Sequence, residues 1–160
     1  MATWRLVTHH GNKESRKSAL ETYRSGEFIA LGWGLIGDLQ AWLPPDKDAI
    51  RIAIQKIPNF ATHQSAGQGG RCLWGFYQEM QPKDLVILSI GQGPLRDVVI
   101  VTGDYEWRDT PVLRDDDYHN RRNVMWVSGQ DGREIWEEHG GRPAEGWNRM
   151  WPLMRLQETL

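Results

Sequence analysis

Hydrophobic and polar positions recur along this chain in short runs that predict a single α+β domain. Trp4-Arg5-Leu6-Val7-Thr8 alternates and predicts an opening strand. Asn12 is suited to cap a helix from about Glu14 to Arg24 that ends near Gly26. Phe28-Ile29-Ala30-Leu31 predicts a second strand, too apolar for a sheet edge. Gly32-Trp33-Gly34-Leu35-Ile36-Gly37-Asp38-Leu39 follows, and three glycines in six residues predict a loop with close backbone approach. Ile50, Ala53, Ile54 and Ile57 recur at helical spacing from Asp46 until Pro58 stops the run. Ser65 to Gly70 reads as a small loop before a helix at about Arg71–Gln81, buried through Leu73, Phe76, Tyr77 and Met80.

The second half is richer in β pattern. Pro82-Lys83-Asp84 turns into a strand at Leu85–Ile90, and Gly91-Gln92-Gly93-Pro94 turns back into Asp97–Gly103, which predicts a hairpin. Asp104 to Asn120 is polar, Asn123–Val127 predicts a strand, Asp131–Glu138 a short helix and Trp151–Leu156 a final strand. Five or six mixed strands with three or four helices predict a small curved sheet, or a partly closed barrel, flanked by helices. With no repeat, low-complexity tract or linker, residues 1–160 read as one domain.

Charge removes some partners. The net charge is -2, with nine Lys/Arg against seven Asp/Glu in residues 1–80 and ten against fourteen in 81–160. Bulk electrostatic capture of nucleic acid is not expected, whereas a pocket-based reader with a local basic face fits. A single cysteine, Cys72, rules out an internal disulfide and a thiolate metal site. No apolar run approaches the roughly 20 residues that cross a bilayer, and the first residues lack a signal pattern. A cytoplasmic home with no membrane partner is the expectation.

Common catalytic constellations fail in turn. Cys72 sits beside an apolar helical stripe, the setting of a buried thiol. No two of the five histidines have H-x-x-x-H spacing, and Asp115–Asp117, without a glycine-punctuated ligand loop, reads as a solvated loop. There is no G-x-S-x-G elbow, phosphate-binding loop or dinucleotide fingerprint. No catalytic residue, metal or cofactor is expected.

Aromatic residues remain. Nine tryptophans in 160 residues is a heavy load for a small core. Trp33 lies between Gly32 and Gly34, so its indole either offers a bare face to a flat ligand or plugs one end of the sheet. At period two, Tyr105 and Trp107 share one strand face, which forms either a cleft wall or inner core. Arg71, His119, Arg121 and Arg122 are the candidate backbone-contacting rim, with Arg114 neutralised by Asp115–Asp117.

With those residues in hand, the chain resembles the EVE family of the PUA-like superfamily, which is related to YTH domains. The resemblance rests on Trp4-Arg5-Leu6-Val7, Phe28 through Leu39, Leu73-Trp74-Gly75-Phe76, Met80 through Val86, Val101 through Trp107, and Arg121 through Val127. It covers about residues 4 to 127, leaves 130–160 as a C-terminal extension, and is most specific in the GWG-x-x-GDL and TGDYEW segments. It implies a PUA-like curved or barrel-like sheet and a pocket that accepts one modified, typically methylated, base flipped into an aromatic cage. Similar domains occur at the N-termini of modification-dependent restriction enzymes. Trp33 matches the first cage position, and Trp107 or Tyr105 the opposite wall. Gly32, Gly34, Leu35 and Asp38 belong to the segment that would read the base edge. With no nuclease or NTPase segment recognised, the resemblance implies a non-enzymatic reader of DNA, or less favourably RNA, whose effector is a separate protein such as a nuclease. Two other classes stay open: a small-nucleotide-processing enzyme using Asp38, Asp104 or His119, and a protein–protein interaction module built on Trp74 and the C-terminal tryptophans.

Overall fold

The computed structural model of the chain describes residues 1–58, 63–90, 97–141 and 151–158. Its strands are β1 (Thr3–Val7), β2 (Phe28–Leu31), β3 (Leu85–Ser89), β4 (Asp97–Trp107), β5 (Asn120–Trp126) and β6 (Leu153–Arg155). They form one mixed sheet in the order β2-β5-β4-β3-β1-β6. Only β1 and β3 pair in parallel; the other neighbours are antiparallel. The sheet is open, so within the α+β class the expectation of a five- or six-stranded mixed sheet holds, rather than that of a partly closed barrel.

Among the described residues five α-helices accompany it: α1 (Lys13–Gly26), α2 (Leu39–Trp42), α3 (Lys47–Gln55), α4 (His63–Trp74) and α5 (Gly132–Glu138). Asn12, Asp38, Asp46 and Asp131 cap the first, second, third and fifth, each accepting a backbone N–H of the first turn. Strand alternation sorts the apolar residues onto two faces. Trp4, Leu6, Val86, Leu88, Val99 and Val101 join α1, α3 and α4 in the main core, while Ile87, Val98 and Leu156 pack with Ile135 of α5 on the other side. After residue 130 the described residues are therefore packed on the sheet, through β6 against β1 and α5 against the second face.

Two expectations need correction. The β2 segment is the end strand of the sheet despite its apolar sequence. It tolerates that position because Ile29, Ala30 and Leu31 are buried and Tyr23 of α1 meets Phe28 edge to face, with ring centroids 5.4 Å apart. The Ser65–Gly70 stretch is helix, not loop. A Cβ at Gly69 would lie 2.6 Å from Ile54 Cδ1, and one at Gly70 2.8 Å from the Lys47 carbonyl oxygen. The glycines let α4 approach α3 almost backbone to backbone. α4 then runs on as a π-helical turn over Gly75–Glu79.

The hairpin expected across Gly91-Gln92-Gly93-Pro94 is seen in its arms, with Leu88 opposite Asp97; the turn itself and Trp147 lie outside the described residues. β4 also runs further than expected. Its register against β5 shifts between Val101 and Tyr105, so Thr102-Gly103-Asp104 form a bulge and the TGDYEW segment is the second half of the same strand.

Candidate functional site: the Trp33 loop

Trp33 sits at φ 59° and ψ 25°, in the left-handed region. For a bulky L residue that conformation costs roughly 1–2 kcal/mol and survives only where neighbours impose it. Here three hydrogen bonds do so. Asp117 Oδ2 accepts the Trp33 N–H at 3.1 Å, the Asp117 carbonyl accepts the Gly34 N–H at 2.9 Å, and Trp107 Nε1 donates to the Gly34 carbonyl at 3.0 Å. Gly34 has no alternative residue: a Cβ there would stand 2.4 Å from the Asp117 carbonyl oxygen and 2.7 Å from His119 Cβ. Just before the loop, Asn120 Nδ2 donates to the carbonyl of the buried Gly32 at 2.8 Å.

The indole of Trp33 packs inward, as the second of the two roles left open by its sequence has it, without being fully covered. It is half-buried and packs on the main core, with its Cε2–Nε1 edge on α4, where a Cβ at Gly69 would meet those atoms at 2.8 and 2.9 Å. The next side chain, Leu35, is 67% exposed. Trp107, also half-buried, carries the ring of His119 against it, with centroids 5.1 Å apart and planes tilted by 33°. His119 Nδ1 lies 2.8 Å from the Arg108 carbonyl, which can only accept, so Nδ1 holds the proton and Nε2 is the acceptor. These groups leave an aromatic and acceptor-bearing surface around the Gly34 backbone.

Tyr105 is a strut rather than a wall of this surface. It is 3% exposed; its hydroxyl donates to Asn120 Oδ1 at 2.6 Å and accepts the Leu39 N–H at 3.2 Å. Burial holds its phenol well above the ordinary tyrosine range. Asp38 spends one carboxylate oxygen on the Gln40 N–H as the cap of α2.

The basic residues divide. Arg122 is 3% exposed, donating from Nε to the Gly103 carbonyl and from Nη1 to the Phe76 carbonyl, and so is not on a solvent rim. Arg121 reaches the Thr110 carbonyl and lies over the Phe28 ring, 4.5 Å from its centroid. Arg71 is half-buried in the last turn of α4. His119 is the one residue of the expected rim that contacts the Gly34 turn itself.

Two of the three residues Asp115–Asp117 depart from the solvated loop expected of them. Asp115 is exposed, but Asp116 accepts the N–H groups of Val112, Leu113 and Tyr118, and Asp117 holds the Trp33 loop. Asp116 Oδ2 also meets His9 Nε2 at 3.0 Å, while the Gly11 N–H donates to His9 Nδ1, so His9 is the Nε2–H tautomer within a stack with His10 and Tyr118. Sequence reading missed these two carboxylates; the available signal was the tendency of Asp side chains in turns to bond nearby backbone N–H groups. Among the described residues no group of three or more His, Cys, Asp or Glu converges on a metal position, and no helix is long and apolar enough to cross a membrane.

The fold and this loop define a small α+β domain built on a mixed open sheet. A family model described as a domain of unknown function, DUF8426, matches residues 6–142, and the chain belongs to that family. No curated protein matches it.

Proposed function

We propose that this domain is a non-enzymatic nucleic-acid reader, of PUA-like and EVE-like kind, that takes a modified base against the indole of Trp33. The observation that carries the reading is the tryptophan held in a left-handed backbone by Asp117, Gly34 and Trp107. Strain of that sort, imposed by surrounding hydrogen bonds, is a feature of ligand clamps. Trp107 and His119 pack ring on ring beside it, and with Nδ1 spent on the Arg108 carbonyl, Nε2 is the His119 nitrogen left for a base edge or a sugar hydroxyl. DNA is the favoured carrier, with a separate effector protein such as a nuclease acting on the read site. A base taken from a duplex costs a few kcal/mol to unstack, which stacking on aromatic walls offsets. A single added methyl contributes roughly 1 kcal/mol by burial, so selectivity also requires that the unmodified base leave a gap or an unpaired group.

The test is a titration, at fixed salt, of paired oligonucleotides that differ in one methylated base, single- and double-stranded, as DNA and as RNA. Trp33→Ala is expected to weaken binding of the modified strand by roughly 10- to 100-fold, the loss of one stacked face. Because part of the ring packs on α4, the variant is also expected to lose about 2 kcal/mol of stability, around half the cost of truncating a fully buried tryptophan. Equal affinity for modified and unmodified strands, or full binding per folded molecule in Trp33→Ala, refutes the reading.

A further inference from the structure

A cavity of about 340 Å3 opens between α2, the π-helical turn and the bulged half of β4. Its polar walls are Gln40, Tyr77, Gln78, Gln81, Asp104 and Arg122. The buried guanidinium of Arg122 uses Nε on Gly103 and Nη1 on Phe76, both neutral carbonyls, while Asp104 and Asp84 supply its counter-charge without a direct hydrogen bond to it among the described residues. A guanidinium has five N–H donors, and a buried charge is ordinarily matched by an acceptor or a counter-charge. The unspent donors belong to a side chain that lines the cavity. Asp104 lines the same cavity, is exposed, and is one of the two carboxylates whose charge acts on the Arg122 guanidinium.

One positive and one negative group on the same wall select against a simple ion of either sign. They favour a molecule with an acceptor edge for Arg122 and a donor edge for Asp104. Tyr77, set edge to face against Tyr105 with centroids 5.1 Å apart, adds an aromatic surface to the wall. Gln40 donates through Nε2 to the Tyr105 carbonyl, which leaves its Oε1 as a further acceptor. Guanine meets these demands. Its O6 and N7 form an acceptor pair suited to arginine, and its N1–H and exocyclic amine form a donor pair suited to a carboxylate. Adenine and cytosine turn an amino group where guanine turns O6.

We propose that this cavity is a guanine-binding site, with Arg122 on the O6/N7 edge and Asp104 on the N1/amine edge. The guanine comes either as a free nucleoside or nucleotide or as one residue of a bound strand. The proposal does not depend on the role of Trp33.

The test titrates the whole protein with guanosine, inosine, adenosine and cytidine, following backbone amide shifts by NMR, and repeats the series with Asp104→Asn. Guanosine is expected to bind with shifts at Gln78 and Asp104, inosine more weakly, and adenosine and cytidine not measurably. Asp104→Asn is expected to bind guanosine about tenfold more weakly and to narrow its advantage over inosine, since the carboxylate reads the amine. That variant keeps the side chain's shape and removes an exposed carboxylate whose charge acts on Arg122, so its melting temperature is expected to fall by no more than a few degrees. A hexathymidylate carrying one guanine separates the sources: tighter binding than guanosine assigns the site to a strand, equal binding to the free compound. Similar affinity for all four nucleosides, unchanged guanosine affinity in Asp104→Asn, or shifts confined to residues remote from the cavity overturns the proposal.

Discussion

Two glycines of one helix are expected to respond in opposite ways to the same substitution. Gly67 and Gly69 both lie inside α4, where alanine is favoured over glycine by about 1 kcal/mol. A Cβ at Gly67 meets nothing within 4 Å, so Gly67→Ala is expected to stabilise by about 1 kcal/mol, raising Tm by roughly 2–4 °C for a chain of this size. A Cβ at Gly69 would lie 2.6 Å from Ile54 Cδ1, 2.8 Å from Trp33 Cε2 and 2.9 Å from Trp33 Nε1. Ile54 Cδ1 ends a flexible side chain, but the indole is rigid and must move by a few tenths of an ångström or more. Overpacking of that kind costs about 1–3 kcal/mol, which cancels the helical gain and leaves a net loss of around 1 kcal/mol.

Thermal and urea unfolding followed by far-ultraviolet circular dichroism measures the difference, expected to be about 2 kcal/mol between the two variants. Adding Ile54→Val to Gly69→Ala removes the methyl at 2.6 Å and isolates the contact with Trp33. If the indole is the obstacle, the double variant remains less stable than Gly67→Ala and binds nucleic acid more weakly than the parent. Equal stabilisation by Gly67→Ala and Gly69→Ala would show that the Trp33 ring does not rest on α4, and the geometry of the whole loop would fall with it.

Asp117→Ala removes the acceptor of the Trp33 N–H; it is expected to cost about 1–3 kcal/mol in urea unfolding and to abolish modified-base binding, and intact binding in the variant would show that the left-handed turn holds itself. Alkaline pH is expected to destabilise the fold. Burial raises the phenols of Tyr23, Tyr105 and Tyr118 and pushes the Cys72 thiol up to about 12. The unfolded chain loses these protons first, from about pH 8.5 to 10, so stability is full below that range and falls above it by up to about 1.4 kcal/mol per pH unit for each group. Urea midpoints that stay level between pH 8 and 10.5 would contradict this, as would reaction of Cys72 with a thiol reagent in the folded protein at neutral pH.

Much of the architecture was legible because local signals agreed with the packing. Asn12 announced α1, the spacing of Ile50 and Ile54 announced α3, alternation announced β1, and the β-rich run after the Pro82-Lys83-Asp84 turn announced β3. The misreadings have a common physical source, which is that a residue's local preference does not reveal what lies across from it. Glycines in Ser65–Gly70 suggested a loop, but their partner is the backbone of α3. Arg122 next to Arg121 suggested a solvated basic pair, yet strand alternation turns Arg121 towards Phe28 and buries Arg122 against Phe76. For the aromatic residues the sequence could bring Trp33 and Trp107 forward, but not the hydrogen bond from Trp107 to Gly34 that joins their segments. Asp117 carried no periodic signal at all, since its work is done on the backbone of a loop 84 residues away.

The bulge in β4 explains how one strand serves both the Trp33 loop and the cavity lined by Arg122 and Asp104. Against β5, Val101 pairs with Val124 and Tyr105 with Arg122, so four steps along β4 match two along β5. Both intervals are even. An excess of one residue would have flipped every later side chain to the opposite face, whereas this excess of two leaves Tyr105 and Trp107 on the side of Val99 and Val101. The extra residues are pushed out of the ladder instead, where the Gly103 carbonyl receives the Arg122 Nε–H and Asp104 enters the cavity wall. Tyr105 then braces α2 through Leu39 and Gln40, and Trp107 braces the turn at Gly34. A change at the bulge is thus felt in both places, because the residues that carry the two sites leave the same strand two positions apart.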